Sequence, residues 1–270
     1  MKNDVAAHAQ GSGCLALAVF KREIRQYFQT PGTYVALAFF FLLSGAFFTS
    51  IIGDFVDTSV KAQAAAVVDN EGQPPLDVTE RVITQLFQLL NFVLLFIVPM
   101  LTMRLIAEEK RSGTFETLVS TPLGNWDILL GKYFAALATS GILLIVCAIY
   151  PAICELYSEP EWPVIWSCYL GLALIITAYT SFGLFASALT ESQIAAAVIS
   201  FTGLLLFQMI GYLFKAGAAG TIAGALSIMR HSENFTKGII SLSDVAFFVL
   251  FSVFFLFLTA QILDSRRWRA

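Results

Sequence analysis

The sequence predicts an all-α, polytopic membrane protein, and two observations carry that prediction. Hydrophobic residues fill 57% of the 270 positions and charged residues only 13%, far from the roughly half-apolar, quarter-charged mixture of soluble domains. The apolar residues are also gathered into runs of about twenty, the length that crosses a hydrocarbon core. Such runs occur six times, at 34–52, 86–103, 133–150, 164–189, 194–214 and 245–263.

Residues 1–13 are small and polar without periodicity, which predicts a disordered tail. Over 14–30 the pattern changes: Leu17, Phe20, Ile24, Tyr27 and Phe28 recur at helical spacing, opposite Lys21, Arg22, Glu23 and Arg25. This is the pattern of an amphipathic helix in the membrane interface, with its cations towards anionic headgroups, and Pro31-Gly32 ends it. The loop 53–81 carries Asn70-Glu71-Gly72-Gln73-Pro74-Pro75 and is expected to be a solvated connector, with at most a short helix over 60–68. The inner loop 104–125 holds a dense mixture of charges. The fourth and fifth runs are joined only by Thr190-Glu191-Ser192-Gln193, a helical-hairpin connection. Between the fifth and sixth runs, 215–244 includes Ile222 to Met229, apolar but too short to cross, as expected of a re-entrant or interfacial element. The last run contains fourteen Leu, Ile, Val or Phe residues and no charge, so its insertion is strongly favoured. A basic tail, 264–270, follows. The six-helix membrane domain is thus expected over 31–263.

Orientation follows from Lys and Arg. With a cytoplasmic N-terminus, eleven fall inside (Lys2, Lys21, Arg22, Arg25, Arg104, Lys110, Arg111, Lys132, Arg266, Arg267, Arg269) and five outside (Lys61, Arg81, Lys215, Arg230, Lys237). The positive-inside rule therefore places both termini in the cytoplasm. The net charge of −3 decides nothing by comparison.

The six expected runs contain no Asp, Glu, Lys, Arg or His. Ion-coupled carriers and intramembrane hydrolases need such groups inside the bilayer, so both classes lose ground. The histidines are His8 and His231, and the four cysteines follow no metal-ligand spacing, so no metal site, catalytic residue or resident cofactor is expected. Nor is there a phosphate loop: Gly124 to Lys132 has the wrong spacing, and Tyr133 stands where a magnesium-binding Ser or Thr is required. Asn125 and Asp127 suit the start of a helix there. Nothing points to nucleic acid.

Amides in a bilayer are costly and should face protein or a cavity. Gln85, Gln88 and Asn91, with Gln208 of the fifth run, are candidates to line a translocation path, Pro99 being a candidate hinge. Interhelical hydrogen bonding without contact to cargo is an equally good reading of the amides. His231, Glu233 and Phe235 are expected to cap or brace the outer segment.

In the inner loop, Glu108 and Arg111 at i, i+3 support a helix, Gly113 permits a turn, and 114–119 reads as a short helix stopped by Pro122. Phe115, Leu118 and Val119 share a face suited to a partner's groove, each worth about 1.5–3 kcal/mol when seated, the alternative being that this face lies back on the membrane surface. The segment Glu108-Glu109-Lys110-Arg111-Ser112-Gly113-Thr114-Phe115-Glu116-Thr117-Leu118-Val119-Ser120-Thr121-Pro122-Leu123 resembles the coupling-helix segment of type-2 ABC exporter permeases. The likeness extends to the interface helix, the six-span order and the outer segment. Ser227, His231, Glu233, Phe235, Gly238 and Asp244 stand where the gliding-motility and nitrous-oxide-reductase-maturation branch (GldF/NosY-like) has its outer motif, while Ser232 replaces that branch's usual aromatic. The resemblance implies a cell-membrane permease dimer, homomeric or heteromeric, each subunit docked on a cytoplasmic ATPase that holds the ATP and Mg. It implies docking through Phe115, Glu116 and Leu118, oriented by Glu108, Glu109 and Arg111, with Gly113 and Thr114 as further residues of the coupling segment. It also implies export of a lipid, polysaccharide or other amphiphile. Two other readings stand beside it: the same fold as a mechanical or assembly subunit with an envelope accessory protein, and an ion-coupled carrier.

Overall fold

A computed structural model describes residues 17–69, 78–113, 125–214 and 217–267. The predicted tail 1–13, the centre of the first outer loop and 114–124 of the inner loop lie outside these residues. Helix α1 covers 17–29. It is followed by α2 (Pro31–Asp69), a π-helical stretch (Thr79–Thr84) that leads into α3 (Gln85–Thr102), α4 (Ala107–Arg111), α5 (Asn125–Cys147), α6 (Ile149–Tyr157), α7 (Trp162–Leu189), α8 (Gln193–Leu213), α9 (Gly217–Leu226), α10 (Ile228–Thr236) and α11 (Leu242–Arg267). Among the described residues there is no strand, and six helices are long and apolar enough to cross a membrane. The chain is an all-α, multi-pass membrane protein.

Several boundaries differ from the sequence expectation. Helix α2 runs unbroken through Gly53 to Asp69, so the first part of the expected connector, with its short helix at 60–68, is the continuation of the first span. A helix outside the bilayer needs no apolar face to persist once it is nucleated within it, which is why hydropathy misplaces its end. The third span starts earlier than expected, since α5 begins at Asn125 and includes Lys132. The first four residues of the expected basic tail belong to α11. Between the fifth and sixth spans the chain forms two short helices, α9 and α10, with Ser227 as N-cap of the second.

Helix α7 is the axis of the bundle. In its apolar stretch 72% of the residues are buried, against 22% in α8 and 28% in α2. Small side chains allow this: Ala178, Ser181, Ala186 and Ser187 are all fully covered. Bilayer helices gain little from apolar burial as such, and tight backbone approach supplies van der Waals contact instead. At Gly183 the approach is extreme, because a β-carbon there would sit 2.1 Å from Thr102 Oγ1 on α3, and at Gly203 one would sit 2.3 Å from the Phe182 ring.

Gly183→Val should therefore force α3 from α7 and destabilise the protein by at least about 1–3 kcal/mol, the usual cost of overpacking. Gly45→Ala, where nothing lies within 4 Å, should stay within about 0.5 kcal/mol of wild type. Thermal unfolding in detergent checks both, and an unchanged Gly183→Val midpoint would remove α7 from its central place.

Candidate coupling site at the inner ends of the helices

Inner here denotes the end that the Lys and Arg count assigns to the cytoplasm. There α3 ends at Thr102, after Pro99 in its last turn, and residues 103–106 form turns before α4. A helix broken inside a protein leaves amides and carbonyls that must find partners. One side chain supplies them: the Ser187 hydroxyl of α7 accepts from the Ile106 and Ala107 N–H groups at 3.1 and 3.0 Å and donates to the Met103 carbonyl at 3.0 Å. That uses the hydroxyl's single donor and both lone pairs. The Lys110 ammonium bonds the Ala188 carbonyl. Helix α4 is thereby clamped to the inner end of α7.

A second set of contacts ties α4 to α1 and α5. Lys132 Nζ lies 2.9 Å from Glu23 Oε1 and 2.8 Å from Glu109 Oε1, and Arg22 approaches Glu109 at 3.6 Å. The Lys132 side chain is only 2% exposed, Glu23 5% and Glu109 10%. Two cations and two carboxylates close the group without net charge, which matters because an unpaired charge at this depth would be very costly. Tyr27 adds a tie from α1 to the end of α3, its phenol donating to the Leu101 carbonyl at 3.1 Å. Burial, with help from the Glu23 charge, raises the Tyr27 phenol above its ordinary range, so it stays a neutral donor.

Of the residues expected at the coupling segment, Glu109 is in this network, Glu108 lines the crevice beside it, and Arg111 points to solvent at the end of α4. Gly113 leaves the helix with φ +71°, a left-handed turn that glycine adopts without strain. Thr114, Phe115, Glu116 and Leu118 lie outside the described residues. Sequence reasoning placed Glu23 on the polar face of α1, Lys132 at the inner membrane boundary and Ser187 among small packing residues, and assigned none of them to the coupling site. Lys132 offered the faintest signal, as a lone cation immediately before an apolar run.

The expected path residues divide. Asn91 and Gln208 meet through Tyr179, which sequence reasoning missed: its hydroxyl lies 3.0 Å from Asn91 Oδ1 and 3.2 Å from Gln208 Oε1. Both amides and Gln88 border a cavity of about 140 Å³ under α10. Gln85 is exposed in an outer groove that Gln88 also borders, and Pro99 is buried far along α3. In the outer segment, His231 Nδ1 is 2.6 Å from Asp244 Oδ1, Nε2 is 3.2 Å from the Ala225 carbonyl, and the ring stacks on Phe247 at 4.1 Å. Asn234 donates to the other Asp244 oxygen at 2.7 Å. Glu233 pairs instead with Lys237 at 3.0 Å, and Phe235, 1% exposed, packs where Gly171 leaves room. Among the described residues no three His, Cys, Asp or Glu side chains gather as metal ligands.

Removing the central cation should be worse than removing the whole network. Lys132→Met alone strands two buried carboxylates and should cost about 3–5 kcal/mol. The triple variant Glu23→Gln, Lys132→Met, Glu109→Gln should recover much of that loss, as read by thermal unfolding. A triple variant no more stable than Lys132→Met would mean that the carboxylates do not depend on Lys132.

No curated protein matches the chain. The model of the ABC-2 family of transporter proteins matches residues 17–266, a span that runs from the interface helix to the end of the last transmembrane helix. By its six helices and this near-complete match, the chain belongs to the ABC-2 transporter family and is a membrane permease subunit of an ABC transporter.

Proposed function

We propose that this chain is an exporter permease that converts the closure of a separate, ATP- and Mg-holding cytoplasmic ATPase into movement of an amphiphile across the cell membrane. It would work as one of two permease subunits, identical or different. The observation that carries the reading is the clamping of α4. Helix α4 is joined to α5 by the buried Lys132–Glu109 pair, to α1 by the more exposed Arg22–Glu109 pair and to α7 by the Ser187 hydroxyl, and in sequence it is followed closely by Phe115 and Leu118. A force that reaches α4 is passed on to three helices. Interfaces and packed helices switch between discrete arrangements rather than deform smoothly, so a short lever held this firmly can transmit a small push.

The outer motif supports placing the chain in the GldF/NosY-like branch. Its His231 and Asp244 pair, Ser227 caps α10 and Gly238 turns with φ +77°, so each of these residues has a structural use.

Replacing Phe115 and Leu118 by Asp should abolish co-purification with the partner ATPase, since each seated apolar group is worth about 1.5–3 kcal/mol. Ser187→Ala should keep the ATPase bound yet lower cargo-stimulated hydrolysis several-fold, because it frees α4 from α7. Pull-down and hydrolysis in proteoliposomes read the two effects. Uphill transport by the chain alone, driven only by an ion gradient, would end this reading.

A further inference from the structure

The cavity under α10 has a hydrogen-bonding inventory that specifies a ligand. One phenolic proton cannot serve two acceptors, yet Tyr179 sits between two side-chain amides, 3.0 Å from one and 3.2 Å from the other. The amide nitrogen and oxygen can exchange places about the terminal bond. All three groups are satisfied when Tyr179 donates to one amide carbonyl and the other amide is turned to donate its N–H to the phenolic oxygen. Whichever amide turns, one NH2 group and one carbonyl of the Asn91 and Gln208 pair are left over. Neither amide makes another hydrogen bond among the described residues. Both residues are only 7% exposed, and both border the cavity. A donor and an acceptor, nine-tenths buried and without a partner, thus face the same space, and such groups are costly unless something fills them.

A hydroxyl group, which donates and accepts at once, matches that pair. Charge points the same way. Among the described lining residues there is no Lys, Arg or His, and their one carboxylate, Glu233, is paired with Lys237. An anionic head would shed its water there for nothing of opposite sign. The rest of the wall sets apolar and aromatic faces, Phe87, Leu172, Ile175 and Phe235, beside the neutral polar groups of Gln88, Tyr212, Ser232 and Thr236, and about 140 Å³ accommodates a group the size of one six-membered ring. We infer that this cavity binds the uncharged, hydroxyl-bearing head of an amphiphile, with Asn91 and Gln208 as the recognising residues and Tyr179 as the residue that positions them. This rests on the permease reading above and narrows its cargo to a neutral polyhydroxy lipid.

The test uses the full chain in lipid nanodiscs, without ATPase, so that its outcome is separate from that of coupling. Three photoreactive diacylglycerols are compared, with a glucosyl head, an O-methylated glucosyl head and a phosphoglycerol head, and labelled peptides are read by mass spectrometry. The glucosyl probe should label residues 85–94 and 204–213 about tenfold more than either of the others, the ratio that 1.4 kcal/mol gives. Asn91→Leu and Gln208→Leu should each remove that preference. Tyr179→Phe, which keeps the ring, should reduce it about threefold while leaving the unfolding temperature near wild type. Equal labelling by the phosphoglycerol or O-methylated probe, or a glucosyl preference that survives Gln208→Leu, would overturn the assignment.

Discussion

Lys132, held between Glu23 and Glu109 at the foot of the bundle, is the contact on which the rest of the architecture depends. Each partner belongs to a different helix: the N-terminal α1, the five-residue α4 after the second span, and α5 of the third span. None of the three could bring its charge to this depth alone, since an isolated ion loses several kcal/mol of hydration there. Their coming together is therefore conditional on all being present. That condition fixes where α1 lies, which way α4 points and where the inner loop must start. Ion pairs of this kind are poor stabilisers compared with apolar packing of the same volume, and what this one supplies is geometry.

Helix α7 relates that junction to the remainder of the protein. Its Ser187 clamps the backbone of 103–107, its Tyr179 joins Asn91 to Gln208, and its Gly171 receives Phe235 from the outer segment. Twenty-eight residues of helix span about 42 Å at 1.5 Å per residue, so one rigid element touches the inner clamp, the polar centre and the outer cover. The tight seats at Gly183 and Gly171 leave little room for α7 to slide against α3 or α10 independently. Helix α4 and the outer segment are thus joined to one another through the packed atoms of α7.

How much of this was readable from the residues depends on the range of the interaction. The six spans were legible because each is a local property of about twenty neighbours. The end of α2 was not, because hydropathy marks where a helix leaves lipid and is silent on whether the helix stops. Asn91 and Gln208 attracted attention because an amide within an apolar run is costly wherever it lands. Their partner Tyr179 did not, since a tyrosine in a span is ordinary and only the fold brings it between two amides. The Lys132–Glu23 pair joins residues 109 apart, and no spacing rule reaches that far. His231 was legible as a brace, but its partner is Asp244 on the next helix rather than its sequence neighbour Glu233, because the turn at Gly238 folds α10 back against α11.

The two kinds of contact holding α4 respond differently to displacement. Coulomb attraction falls only as the inverse of distance, so Lys132 and its carboxylates can separate by an ångström and still hold one another. A hydrogen bond is lost over a similar movement, because both length and angle must be kept. The Ser187 clamp has three such bonds on one hydroxyl oxygen, and all three would have to break together for α4 to slide past α7. Rotation about that oxygen costs far less, as the ionic partners on the other side of α4 yield without letting go. The chemistry at the two sides of this short helix therefore favours a pivot at Ser187, with α1 and α5 as its elastic restraint.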